Sequence, residues 1–216
     1  VVAGRTEAVH PKTLEACFRQ YSVPVEGQAD ILVTGIPFLC PYNVNSIMNP
    51  LLVHCTALGY FFNMYRGDPL LRKNGVMIIA HPLRDEWHPD HHPSYIEFFH
   101  RLLPETRDSH KLSHKYEQKF ASDPAYVQMY RYGNAFHGVH PFYMWYWGEA
   151  GKLHCGKVIC VGATNQRVAE ILGWDTAPSI DEAIGMARAH LANPDACLKI
   201  PDHLSMHFLQ KLVKLG

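Results

Sequence analysis

The chain lacks net charge: across 216 residues, 20 Lys and Arg offset 20 Asp and Glu. Proteins that grip nucleic acid neutralise phosphates with a basic excess, so this balance excludes a dedicated nucleic-acid binder and removes electrostatic docking on anionic membranes. Long apolar runs are missing too. None approaches the ~18 residues of a membrane span, and the segment Val76 to Ala80 has only the length of a strand. No signal peptide opens the sequence and no Met precedes Val1, so a fragment or a processed chain is the expectation. None of the six cysteines (Cys17, Cys40, Cys55, Cys155, Cys160 and Cys197) forms a CxxC pair, and most sit in apolar segments where a reduced thiol acts as a small hydrophobe. A disulfide framework is therefore not expected, and the cytoplasm is the default compartment. A GxSxG elbow, a P-loop, a GxGxxG fingerprint and an HExxH helix are all absent, so no common hydrolase, nucleotide-binding or zincin signature assigns the chemistry.

What is present fits a buried globular core: 47% of residues are hydrophobic and 12% aromatic. Three short runs with β-branched centres read as buried parallel strands: Ala29 to Gly35, Gly75 to Ala80 and Gly156 to Gly162. Ala196 to Ile200 is a fourth candidate. Helical patterns lie between them. Ile47, Leu51, Cys55 and Leu58 recur at helical spacing, with Asn49-Pro50 as cap and first residue. Val168, Ile171 and Leu172 precede a helix stop at Gly173, and Ser179 to Glu182 is a capping box for a helix ending before Asn193-Pro194. Leu204, Phe208 and Leu212 outline a last amphipathic helix. Alternating strands and helices predict an α/β fold, a mostly parallel sheet with helices on both faces.

The segment from about 82 to 152 breaks the rhythm. From His81 to Lys152 the chain holds nine of its fifteen histidines and the aromatic run Phe136 to Trp147. It reads as a long helical, His- and aromatic-rich insertion between two strands of one sheet, with a charged middle, Arg101 to Lys119, as exposed helix. Tyr143, Trp145 and Trp147 are expected to bury the insertion or an inter-domain face.

In open parallel sheets ligands sit beyond the C-terminal strand ends. Three loops qualify. The first, Ile36 to Ser46, places Asn43, Asn45, Ser46 and Asn49 before or at a helix N-terminus, where free N–H groups and the helix dipole favour a carboxylate. The same residue types are also ordinary cap and turn formers. The second loop starts at His81 and carries Arg84; the third carries Thr164 and Asn165. His88, His91 and His92 offer imidazoles for zinc or nickel, although prolines make a polar surface loop the plainer reading.

Taken in order, these segments resemble the C-terminal domain of the nickel-dependent lactate racemase family. Val2-Ala3-Gly4 with Glu7-Ala8-Val9-His10 is similar to the family's "AGD…AH" segment. Val23-Pro24-Val25 followed by Ala29 to Val33 resembles the approach to the first strand of that domain. Gly35 and the Asn43 loop match its glycine-proline-rich loop and following helix. Asn74 to Ala80 resembles the "GG-x-I-I-x-x-A" strand, and Gly156 to Gly162, Gly173, Ser179 and Asp181-Glu182-Ala183 follow in family order. The resemblance implies a C-terminal domain, residues 1–216, that closes over a small 2-hydroxy acid. Racemisation or epimerisation would use a nickel pincer nucleotide bound by the N-terminal domain of the same protein. The tethering lysine, the nickel histidine and the acid/base histidines belong to that other domain, so the chain alone is expected to be inactive. Where the family presents a Gln and a Lys to substrate, this chain has Ser46 and Asn49, and His81 replaces a strand-end Glu. These departures imply a 2-hydroxy acid other than lactate, such as a larger polyol acid. Two alternatives stand beside this reading: a non-catalytic small-ligand-binding module, and a metal-dependent hydrolase using the His-rich insertion.

Overall fold

The computed structural model describes residues 1–43 and 47–199. Helix α1 (Thr6–Tyr21) leads into strand β1 (Ala29–Gly35). Helix α2 (Pro50–His54) continues without a break into a π-helical stretch, Cys55–Phe61. Strand β2 (Leu71–Ala80) precedes the insertion, which is built from α3 (Pro93–Glu97), α4 (Ser109–Leu112), α5 (Gln118–Ser122), α6 (Pro124–Tyr132), α7 (His140–Trp147) and α8 (Glu149–His154). Then come β3 (Lys157–Val161), α9 (Gln166–Leu172), β4 (Asp175–Ala177), α10 (Ile180–Leu191) and β5 (Leu198–Lys199). Among the described residues no helix is long and apolar enough to cross a membrane.

The five strands form one parallel sheet in the order β4-β3-β2-β1-β5. The chain steps from β1 to β4 in one direction and then returns across the sheet to β5. Right-handed crossovers put the connections of a one-way walk on one face and the return on the other. The core follows that rule. Leu32, Met77, Ile79, Val158 and Cys160 face a large cluster with Leu51, Leu58, Phe98, Phe142, Trp145 and Leu172. Their alternate neighbours Ile31, Val33, Val76, Ile78 and Ile159 face Ala183 and Ala187 of α10. Alternation along a strand sends successive side chains to opposite faces, which is why every residue of the central strand from Gly75 to Ile79 is buried.

The α/β architecture and the parallel sheet match the sequence expectation, and the local signals place several boundaries. Asn49 caps α2, its Oδ1 accepting the Leu52 N–H at 3.1 Å, with Pro50 at the first turn. Gly173 ends α9 at φ 80°, a left-handed geometry that glycine adopts without a Cβ penalty. Ser179 Oγ accepts the Glu182 N–H at 3.2 Å at the start of α10. Ile47 lies ahead of the cap rather than in the helix.

Several details differ from expectation. Strand β2 begins at Leu71, four residues early, because Asn74 at φ 64° and a register irregularity opposite Ala29 to Ile31 carry the pairing across a bulge. The edge strand β4 has only three residues, too few for a periodic signal. The Arg101–Lys119 segment is amphipathic rather than simply exposed: Leu102, Leu103, Leu112 and Tyr116 are buried in the main cluster. The proposed helix through Leu204, Phe208 and Leu212 lies outside the described residues. The insertion shares the sheet's own core. Trp145 is fully buried, stacks on His54 at 4.2 Å and donates its indole N–H to Arg107 O at 3.2 Å. Tyr143 and Trp147, by contrast, are about half exposed, at 47% and 49%.

Candidate functional site

Because all five strands run the same way, the loops after β1, β2 and β3 emerge on one edge. Hydrogen bonds tie them together there: Ile36 N–H to Ala80 O at 3.1 Å, His81 N–H to Val161 O at 3.1 Å, and Thr164 N–H to Pro82 O at 2.7 Å. Thr164 Oγ1–H donates to the same Pro82 oxygen at 3.0 Å, and the Cys160 thiol approaches His81 O at 3.3 Å. Strand order reverses between β1 and β5, so the topological crevice of the sheet opens at the end of β1.

His81 is the centre of this rim. It directly follows the middle strand and is only 4% exposed. Its Nδ1 accepts the Leu83 N–H at 2.9 Å, which leaves the ring proton on Nε2. That turn places Leu83, fully buried, at φ 44°, a left-handed conformation that costs a non-glycine residue roughly 1–2 kcal/mol. Nε2 is buried and has no hydrogen-bond partner. An orphaned buried donor costs about 1–3 kcal/mol. Backbone strain at Leu83 and desolvation at His81 thus meet in one turn, a combination that concentrates at functional sites. Burial, and secondarily the charge of Arg84, lowers the His81 pKa to about 4, so the ring is neutral at physiological pH.

Arg84 brings the positive charge. Its guanidinium is more than half exposed and meets Glu86 only at 3.8 Å. An exposed pair at that distance is worth little, so a carboxylate arriving at Arg84 displaces a weak partner. The neighbouring Asp85 is already engaged by His100 Nε2 at 3.1 Å and Trp87 Nε1 at 2.6 Å.

The remaining sequence candidates hold the loops in shape. Asn43 is fully buried; its Oδ1 accepts the Cys40 N–H at 3.3 Å and its Nδ2 donates to Phe38 O at 3.0 Å. Asn49 and Pro50 close the α2 N-terminus, both buried, and Asn49 Nδ2 is left without a partner. Asn165 caps α9 by accepting the Arg167 N–H at 3.0 Å. Asn45 and Ser46 lie outside the described residues. What sequence reasoning missed is Phe38, whose ring packs at 5.0 Å on the His81 imidazole; nothing in its local pattern distinguished it from an ordinary loop aromatic.

The histidine cluster of the second loop is differently built. His88 Nδ1 accepts the His91 N–H at 3.1 Å, the His88 and His91 rings stack at 3.8 Å, and His92 Nε2 contacts Tyr42 O at 3.1 Å. These contacts hold the turn that leads into α3. Among the described residues no group of three or more His, Cys, Asp or Glu side chains could hold a metal ion.

No family model and no curated protein matches the chain. Among solved structures, the lactate racemase apoprotein from Thermoanaerobacterium thermosaccharolyticum is similar, with a TM-score of 0.52 and 17% sequence identity over 91% of this chain. The chain spans 39% of that neighbour's length. At this identity the likeness is one of fold.

Proposed function

We propose that the chain is the substrate-closing domain of a 2-hydroxy-acid racemase or epimerase whose N-terminal domain carries a nickel pincer nucleotide. The observation that carries the reading is the rim itself. A buried neutral imidazole with a free donor and an available guanidinium stand together at the C-terminal end of the central strand. The fold likeness to a lactate racemase over most of the chain supports it.

The chain's own donors do not fit the nickel group. The described residues offer no metal-holding set, and the three rim loops contain no lysine to tether a nucleotide. In this reading the cofactor belongs to the other domain. The residues here bind and orient: Arg84 takes the substrate carboxylate at the rim, beside the His81 imidazole. By the resemblance, Ser46 and Asn49 stand where the family presents a long amide and a cation, so the substrate proposed is a 2-hydroxy acid other than lactate.

The test is an assay of the full-length protein, loaded with cofactor, on a panel of 2-hydroxy acids from lactate to larger polyol acids, with enantiomers or epimers resolved by chiral chromatography. Interconversion of at least one acid is expected, with no turnover by residues 1–216 alone. Arg84→Gln should raise KM by roughly ten- to a hundredfold, since a charge-assisted hydrogen bond is worth about 1.5–3 kcal/mol. Binding of acids without any interconversion by the loaded protein would replace this reading with a non-catalytic binding module.

A further inference from the structure

Phe38 is 62% exposed, yet its ring covers a residue that is almost wholly buried. Among the described residues the His81 imidazole is its one ring contact. Behind the imidazole the framework is fixed. Leu83 N–H holds Nδ1, Pro82 O is pinned by both donors of Thr164, and the His81 backbone is paired to β3. Asn43 Nδ2 holds the Phe38 carbonyl, which anchors the backbone while leaving the benzyl group free to change rotamer. A firmly positioned N–H without an acceptor therefore belongs to a ring packed against an aromatic group that is itself largely exposed.

We infer that His81 is a specificity-determining hydrogen-bond donor, its Nε2–H reserved for an oxygen of a small hydroxy-carboxylate, and that Phe38 is the gate that covers it when no ligand is bound. The inference rests on the function proposed above. It adds the atom that reads the ligand, its tautomer and the group that must move. Displacing Phe38 would bring Nε2–H and the Arg84 guanidinium to one ligand, a neutral donor for the hydroxyl beside a cation for the carboxylate. A neutral donor makes this recognition insensitive to pH above about 4, since the ring stays uncharged there.

The experiment is imidazole NMR on the 216-residue chain labelled with ¹⁵N-histidine, titrated with L-lactate, D-gluconate and acetate. Long-range ¹H–¹⁵N spectra should show His81 as the Nε2–H tautomer before addition. A hydroxy acid should move that signal, and His81→Phe should weaken its binding about tenfold or more. Phe38→Ala, at an exposed position, should speed solvent exchange of the Nε2 proton without loss of folding. Hydroxy-acid binding that Arg84→Gln weakens but that leaves the His81 signal unmoved would overturn the donor role and leave the proposed function standing. A signal moved equally by acetate and by the hydroxy acids would retain the donor and count against the hydroxy-acid function. An Nδ1–H tautomer, a signal moved by none of the three, or unchanged Nε2 exchange in Phe38→Ala would overturn the inference.

Discussion

Acidification should destabilise this protein above the pH at which ordinary carboxylates titrate, because several histidines are buried in the neutral form. His54 is fully buried between Trp145 and Trp174, at 4.2 and 6.1 Å. Burial chiefly, and the Lys152 charge in addition, lowers its pKa to about 3. His81 and His92, 4% and 0% exposed, are lowered to about 4, in both cases first by burial. Folded values below the unfolded value of about 6.5 mean that the unfolded chain binds more protons in between. Stability from these groups is complete above pH 6.5 and is lost as pH falls towards 4, with the His54 share declining down to about 3. At pH 5 each imidazole lies about 1.5 pH units below its unfolded pKa and is still neutral when folded. At 1.36 kcal/mol per unit that is about 2 kcal/mol for each. Three such groups reach about 6 kcal/mol as an upper figure, against a typical total of 5–15 kcal/mol. In a domain of this size the melting temperature should fall by roughly 10–20 °C between pH 7.5 and pH 5. The exposed Glu105 and Asp108 carboxyls are lowered from their ordinary values, by the Lys115 side chain and the Lys111 N–H respectively. Thermal melts across the range, with imidazole titration by NMR, provide the measurement. A melting temperature constant within about 2 °C from pH 7.5 to 5 would refute the argument.

Two further outcomes follow from packing and capping. Trp145→Ala should destabilise the chain by about 3–5 kcal/mol, since it opens a cavity in the main cluster and strips His54 of its stacking partner; a loss below about 1 kcal/mol in urea unfolding would show that the insertion is not integral to the core. Asn49→Ala should cost about 1 kcal/mol through loss of the α2 cap, and Asn49→Lys more, because it places a charge at a fully buried position; equal stability of wild type and both variants would remove the capping role.

The strands and helices of the α/β framework were legible because their signals are local. A β-branched run such as Ile31 to Val33 has a pleated preference wherever it stands, and Asn49-Pro50, Gly173 and Ser179 punctuate helices through their own backbone chemistry. Parallel pairing then followed from alternation, and with it the single rim to which His81, Arg84 and Thr164 belong. Burial was not legible. Nothing in the charged stretch from Arg101 to Lys119 told that Leu112 and Tyr116 would close onto the sheet's core, because an amphipathic stripe needs a partner surface before it becomes an interior. The three-residue β4 exists only because β3 offers it an edge. The roles within the rim were decided by geometry alone. Asn43 and Asn165 spend their amides on loop and cap, while His81, of a residue type found nine times in the same segment, is the one that directly follows the central strand with its Nδ1 satisfied and its Nε2 bare. A tautomer is set by what lies within three ångströms of each ring nitrogen, and that distance is a property of the folded chain.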